Sequence, residues 1–564
     1  MSSIPFPSMP SEAALHSIRE DLKNNVFRGV DGFLVKYFED KSWAAAILNK
    51  MHDTESTQVV GKLVADVPNL VDLDILTEWL TRLQSLFFAA DPLDFHFRIQ
   101  ATTATDSPFS ASIYLETPDG QGVAGSTRVF GEYHHGSAPV AAEDDSGFQR
   151  FCLLARQVFK TQSARLFLHA FLVRGMTLEL WVFDRSGAYS SEKLDLAQSP
   201  HLFVQTLAGY AMMSDEECGI NPFVKRLGPR PDGYVSLDLD DKLYLRPEVI
   251  AAPDYLVGPG TTCYVASASA VGESNTVVKF SWRVDQTPTE LRALKRAGER
   301  NVWGVIRLLG HRDLGSIAGL RQGLQFPQPF VDRTFSCVVT APLGRPIQKF
   351  TSIRELLEVL CDLVKALRSL HIDGRMIHRD IALKNLVITS QHGADSPKGM
   401  LIDLDQALDL DNRRTIEPLV GSDGFMAIGI LSWRPHTYRH DLESLFYVFL
   451  WLAIGNDREH DDAYGILEGL PKTSRLWKWC SMDFYAAGQV KAADMSPEGF
   501  LGILHEFSAD FAPLQDLAKK LHELIFPVRD GEIFTGTETE QTAIERLYDG
   551  MADAFRLAAI TFQN

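Results

Sequence analysis

Residues 376–405 constrain this chain more than any other stretch, because polar residues at fixed separations stand there inside otherwise apolar sequence. The run reads Met376-Ile377-His378-Arg379-Asp380-Ile381-Ala382-Leu383-Lys384-Asn385-Leu386-Val387-Ile388 and closes on Met400-Leu401-Ile402-Asp403-Leu404-Asp405. The apolar runs at 376–377, 386–388 and 400–402 are short, the pattern of buried strands that hold the intervening side chains rigidly. Asp380 and Asn385 then fall at the two ends of one tight loop.

That order has a chemical reading. A carboxylate that orients a nucleophilic hydroxyl (Asp380), an amide oxygen five residues on that can face Mg²⁺ (Asn385), and a second metal-facing carboxylate after a short strand (Asp403) are the parts of metal-assisted phosphoryl transfer. Upstream, Leu256-Val257-Gly258-Pro259-Gly260-Thr261-Thr262-Cys263-Tyr264-Val265 carries a glycine-rich pattern in which Cys263 takes the place of the third glycine. Gly258 and Gly260 would let backbone amides approach phosphates, and Val265 would cover the nucleotide base. A β-branched run, Thr276-Val277-Val278-Lys279-Phe280, follows and offers Lys279 for the α/β-phosphates. Helical spacing over 288–297 puts Glu290 beside the inward face as a partner for Lys279, with Glu299 as its rival.

These segments, together with Val338-Val339-Thr340-Ala341-Pro342-Leu343-Gly344-Arg345-Pro346, Gly424-Phe425-Met426-Ala427-Ile428 and Tyr438-Arg439-His440-Asp441-Leu442-Glu443-Ser444-Leu445-Phe446-Tyr447, resemble the fungal-type protein kinase family. The likeness spans about 149–451 and takes in Leu178-Glu179-Leu180-Trp181-Val182-Phe183-Asp184-Arg185 ahead of the kinase-like part. It implies an α+β chain: an amino-terminal α+β domain at 1–230 and a bilobal protein-kinase-like domain at 231–564. It also implies ATP and Mg²⁺ as cofactors, and transfer of the γ-phosphate to a Ser, Thr or Tyr hydroxyl of a protein substrate. Lys384, four residues after Asp380, stands where tyrosine kinases place an Arg, while Ala382 holds the Lys position of serine/threonine kinases. Asp441 would support the catalytic loop from beneath, and the Ser422 hydroxyl would contact that loop.

The departures keep a pseudokinase scaffold open as the alternative. Asp405 replaces the glycine of Asp-Phe-Gly and adds a carboxylate near the metals. Gly429 replaces the Glu of Ala-Pro-Glu, so the usual anchoring ion pair should be absent and the activation segment mobile. Thr415, between Arg414 and Ile416 and close to Arg413, is then the expected phosphosite, with Arg379 as partner for its phosphate.

Composition sets the outer bounds. With 564 residues and 45% hydrophobic content the chain can form two or three cored domains, and a net charge of −18 argues against a broadly basic nucleic-acid surface. Six cysteines lie far apart without metal-ligand spacing, which fits a reducing compartment. The first ten residues show no secretory pattern, so cytoplasm or nucleus is expected, and the apolar run after His440 is too short to span a membrane.

The stretch 221–233, rich in Pro and Gly, reads as a linker. Ahead of it, 11–90 reads as amphipathic helices with Leu70, Leu73, Ile75, Leu76, Trp79, Leu80 and Leu83 in the core. Strand-like runs at 111–116, 126–132, 166–173 and 178–183 surround a helix at 148–160. This order resembles the core of PD-(D/E)xK nucleases. On that reading Glu132 and Asp119 are the candidate acids, although His134 takes the Lys position. His134 and His135 are expected in a loop.

Overall fold

The computed structural model describes residues 11–562 apart from 40, 53–56, 89–95, 103–108, 118–126, 137–145, 227–232, 237–241, 270–271, 273, 285–289, 391–394, 413–418, 456–469, 472 and 482. Asp119 and Thr415, with its neighbours Arg413 and Arg414, lie outside the described residues. Helix and sheet are mixed, as an α+β chain requires. Two compact units form: Met1–Asp285 with His311–Val338, and Gln286–Gly310 with Val339–Asn564.

The first unit holds a large sheet of β1 (Val26–Phe27), β2 (His96–Ala101), β3 (Phe109–Glu116), β4 (Thr127–His135), β5 (Phe167–Arg174), β6 (Thr177–Asp184) and β7 (Gly187–Ser190), in the order β1-β7-β6-β5-β4-β3-β2. A short β8 (Leu194–Asp195) pairs with β6. Parallel pairing of β4 with β5 needs a crossover, and the helix Ser146–Thr161 lies in that connection. Successive side chains of a strand point to opposite faces, and here both faces are buried. On β6, Leu178, Leu180 and Val182 join a core that includes the helical residues Leu76, Trp79 and Leu207. Trp181 and Phe183 join the other core, with Phe151, Ala155 and Phe159 of the crossover helix.

Two expectations fail in this unit. Ile75 is 38% exposed, because Leu76, Trp79, Leu80 and Leu83 already fill the inward stripe of the helix Leu73–Phe88. His134 and His135 are not in a loop but end β4, where the buried His134 Nδ1 meets Ser110 Oγ at 2.9 Å.

A second sheet follows, made of β9 (Lys225–Arg226), β10 (Gly233–Ser236), β11 (Lys242–Ala251), β12 (Thr262–Ser267), β13 (Thr276–Arg283), β14 (Arg307–Ser316) and β15 (Thr334–Ala341). Its order is β14-β15-β13-β12-β11-β10-β9. The stretch read as a linker therefore contributes β9, paired antiparallel to β10. His311–Val338 is tied into the first unit by Arg321, whose guanidinium donates twice to Asp184 at 2.8 Å, with both side chains buried.

The second unit is mainly helical. Ser352 caps the helix Ile353–Ile372 by accepting the Glu355 N–H at 3.1 Å, and its apolar stripe includes Leu356, Leu360, Leu363 and Leu367. It packs against the helix Gln541–Thr561. Every residue of the helix Tyr438–Ile454 is buried, so it forms the centre of the unit. Short strands β16 (Gly344–Pro346), β17 (Met376–Ile377), β18 (Leu386–Thr389), β19 (Gly399–Leu401) and β20 (Leu408–Asp409) lie on this scaffold.

Candidate active site

The Asp380 loop starts where β17 ends, and its backbone is held from below. Asp441, in the first turn of the central helix, accepts the His378 N–H at 2.7 Å on Oδ2 and the Arg379 N–H at 3.0 Å on Oδ1. Its carboxyl is pushed up by burial but pulled down further by the hydrogen bond from His436 at 3.1 Å, by the charges nearby and by the His378 amide, so it rests below the usual carboxylate value. The His378 ring ties the loop to the next strand. Asp380 N–H approaches Nδ1 at 3.3 Å, which assigns the proton to Nε2 for donation to the Ile402 carbonyl at 3.0 Å. These bonds hold the chain through Arg379, whose φ of 71° lies in the left-handed region.

Asp380 itself is buried but engaged on both oxygens. Oδ1 accepts from Ser422 Oγ at 2.6 Å, while Oδ2 accepts from Asn385 Nδ2 at 3.0 Å and pairs with the exposed Lys384 Nζ at 3.2 Å. Asn385 Nδ2 also donates to the Asp380 carbonyl at 2.8 Å, so its Oδ1 remains the atom that can serve a metal. The Ile402 N–H donates to the Asn385 carbonyl at 3.0 Å, and β18 pairs antiparallel with β19. This pairing brings Asp403 to the same end of the sheet as Asn385.

Asp403 takes a left-handed φ of 62° and begins the turn Leu404–Gln406, against which the helix Glu290–Glu299 packs. Ligand oxygens of Glu290, Asp403 and Asp405 all lie within 4.8 Å of one another, and Asp405 Oδ1 accepts the Glu290 N–H at 3.3 Å. Three carboxylates this close repel unless a cation sits among them, and oxygen-only donors suit a hard divalent ion such as Mg²⁺. The residues present therefore fit that ion. Sequence spacing points to Asn385 and Asp403 as metal ligands; the fold places the carboxylates of Glu290 and Asp405 beside Asp403.

The segment leading away from the site is anchored differently from the expectation. A Cβ on Gly429 would lie 2.4 Å from His440 Nε2, so a glutamate there would require the buried His440 ring to move. The anchoring carboxylate comes instead from Glu443 of the central helix, which accepts the Ile428 N–H at 2.7 Å and pairs with Arg439 at 2.5 Å. Arg439 in turn donates to the Ile525 carbonyl at 2.7 Å. A second anchor is Lys491, fully buried, whose Nζ donates to the Gly424 and Met426 carbonyls at 2.8 and 2.7 Å and lies 4.4 Å from the Tyr447 ring centroid. Burial lowers this amine to about 7. Residues 424–428 are thus bonded to both the central helix and Lys491.

In the first unit, Lys279 lies on β13 opposite Cys263, and Val265 lies opposite Val277. Gly258 and Gly260 sit in the connection between β11 and β12, but that loop is bound to its own unit. The Gly258 N–H donates to the Arg185 carbonyl at 3.0 Å, Arg185 Nη1 donates to the Tyr255 carbonyl at 2.9 Å, and Asp21 accepts the Leu256 N–H at 2.8 Å. A Cβ on Gly260 would come within 2.6 Å of Arg185 Nε. The Gly258 amide expected at a phosphate is thus already bonded. Arg185 was inside a recognised segment, but its role could not be read from sequence.

Glu132 makes a different use of a buried carboxylate. Ser112 donates to Oε1, and Arg150 Nη2 donates to Oε2 at 2.9 Å. A carboxylate so neutralised is a structural ion pair rather than an open metal ligand.

A sequence profile described as fungal protein kinase matches residues 127–453, more than half of the chain. The chain belongs to the fungal protein kinase family, and the match begins at β4, well ahead of the glycine-rich segment. No curated protein matches it.

Proposed function

We propose that this protein is an ATP- and Mg²⁺-dependent protein kinase that transfers the γ-phosphate to a protein hydroxyl. The observation that carries the reading is the arrangement around Asp380: a buried carboxylate fixed by Ser422 and Asn385, on a loop supported by Asp441. In this reading Asp380 orients the acceptor hydroxyl and takes its proton as oxygen attacks the γ-phosphorus and the bond to ADP breaks. Lys384 steadies the negative charge beside Asp380, and Lys279 meets the α/β-phosphates. Val265 covers the base. Asn385 and Asp403 hold Mg²⁺, joined by Glu290 and Asp405; the ion, when bound, neutralises phosphate charge. Gly258 and Gly260 give their loop its path. We assign 1–230 as an amino-terminal α+β domain and 231–564 as the bilobal kinase-like domain.

A pseudokinase scaffold is the second reading, favoured by the Gly258 amide already bonded to Arg185. The test is phosphate transfer from labelled ATP to a peptide library, with a Mg²⁺-dependent thermal shift by ATP. Asp380→Asn should keep the thermal shift and lose roughly two to four decades of turnover, the range for a positioned acid-base group. A wild-type thermal shift without any transfer would establish the scaffold reading instead.

A further inference from the structure

The first unit contains a cleft of about 470 Å³ that the proposed phosphoryl-transfer residues do not use. Its wall is aromatic and aliphatic, with Phe223, Trp282, Leu314 and Phe335 among the lining residues. The rings support one another: Phe280 stacks on Phe335 with centroids 5.6 Å apart, Trp282 meets Phe335 at 4.7 Å, and Phe223 meets Phe280 edge-on at 6.2 Å. Such a wall is preformed, and the volume suits one small organic molecule.

Polar groups at the cleft select its charge. Lys225 and Arg312 line it, and no Asp or Glu does among the described residues. The Arg312 guanidinium lies 5.4 Å from the Phe223 ring centroid, and neither cation has a carboxylate partner among the described residues. Asn221, also lining the cleft, is 5% exposed; its Oδ1 accepts the Phe223 N–H at 2.9 Å, while its buried Nδ2 has no acceptor among the described residues. A buried amide donor left unpaired is costly, so this corner of the cleft is a strained one.

The cleft is not a part of the nucleotide position. Side chains alternate along β13, so Trp282 shares the face of the buried Val278 and Phe280, and Lys279 projects from the other face. We infer that this cleft binds a small molecule with a flat apolar body and one anionic group, such as an aryl carboxylate or sulfonate. The rings take the apolar body, and Lys225 and Arg312 face the anion.

Anilinonaphthalene sulfonate and its uncharged counterpart, phenylnaphthylamine, test this in the full chain by fluorescence titration. The wild-type protein should bind one equivalent of the sulfonate. Lys225→Glu combined with Arg312→Glu should weaken the sulfonate about tenfold or more, as the loss of charge-assisted contacts predicts, with phenylnaphthylamine affinity unchanged. Leu314→Trp should block both probes. Gly315→Leu is the second blocking variant, since a Cβ there meets nothing within 4 Å and the fold should tolerate it. Sulfonate binding that survives both blocking variants would overturn the site, and equal response of the two probes to charge reversal would overturn the anionic class.

Discussion

The Asp380 loop of the second unit and the Gly258 loop of the first both run through unusual backbone, and they use it to opposite ends. Arg379 and Asp403 have φ of 71° and 62°, Gly258 and Gly260 of 145° and 54°. Around Asp380, Asp441 takes the backbone amides from below, which leaves the carboxylate to meet Ser422, Asn385 and the exposed Lys384, side chains that an acceptor hydroxyl could displace. Around Gly258 the backbone amide is itself consumed, and Arg185 fills the space beside Gly260. Glycine suits a close approach by phosphate and a close approach by protein equally well. Which approach occurs depends on what the rest of the fold brings there.

Removing the support beneath Asp380 should give the largest effect. Asp441→Ala strands two amides and His436 in a buried site, and should cost about 3–5 kcal/mol together with most transfer activity. Because the folded Asp441 carboxyl lies below its ordinary value, its contribution to stability is present above the unfolded pKa and is lost as pH falls through the lower folded one. Melting curves from neutral pH into the acid range should therefore fall more steeply for wild type than for Asp441→Ala. Parallel curves would mean that the loop is held by something else.

Lys491→Met should come next, at about 2–3 kcal/mol, since it removes an amine that donates to two buried carbonyls. Its pH dependence has the opposite direction. With the folded amine at about 7 against an ordinary 10.5, the unfolded chain binds more protons between those values, so this group adds stability as pH rises through that window. The gap in melting temperature between wild type and Lys491→Met should widen from neutral to alkaline pH. A constant gap would show that the amine does not titrate there.

The smallest effect is expected at Gly258, and it sharpens the comparison most directly. A Cβ there would lie 2.8 Å from the Tyr255 ring at a φ that L side chains rarely adopt. Gly258→Ala should cost about 1–2 kcal/mol of stability, as alanine does at a positive-φ position. The KM for ATP should stay within about twofold, because the amide that would meet phosphate is already bonded. A large rise in KM with an unchanged melting temperature would instead place that amide on the nucleotide.

Local spacing made the candidate catalytic segment legible. Asp380, Lys384 and Asn385 occupy one loop, and the short strands that position Asp403 are visible as apolar runs. Supports that come from far along the chain were harder to read. Glu443 stands 15 residues from Ile428, and Lys491 67 residues from Gly424. Arg185 reaches Tyr255 across 70 residues, with no pattern to announce it. Ile75 and His134 show the same limit on a smaller scale: a stripe or a pair of histidines does not say which residue the neighbouring element covers.

The sequence by itself determined the family, the mixed helix and sheet composition, and which residues are candidates for phosphoryl transfer, because residue type and short-range spacing carry that information. Only the tertiary structure decided that Glu290 and Asp405 join Asp403, that Glu443 anchors the segment where the His440 ring crowds position 429, and that the glycine loop is bound to Arg185. Carboxylates, amides and guanidinium groups act through partners within a few ångströms, and for these residues the partners come together only when distant parts of the chain pack.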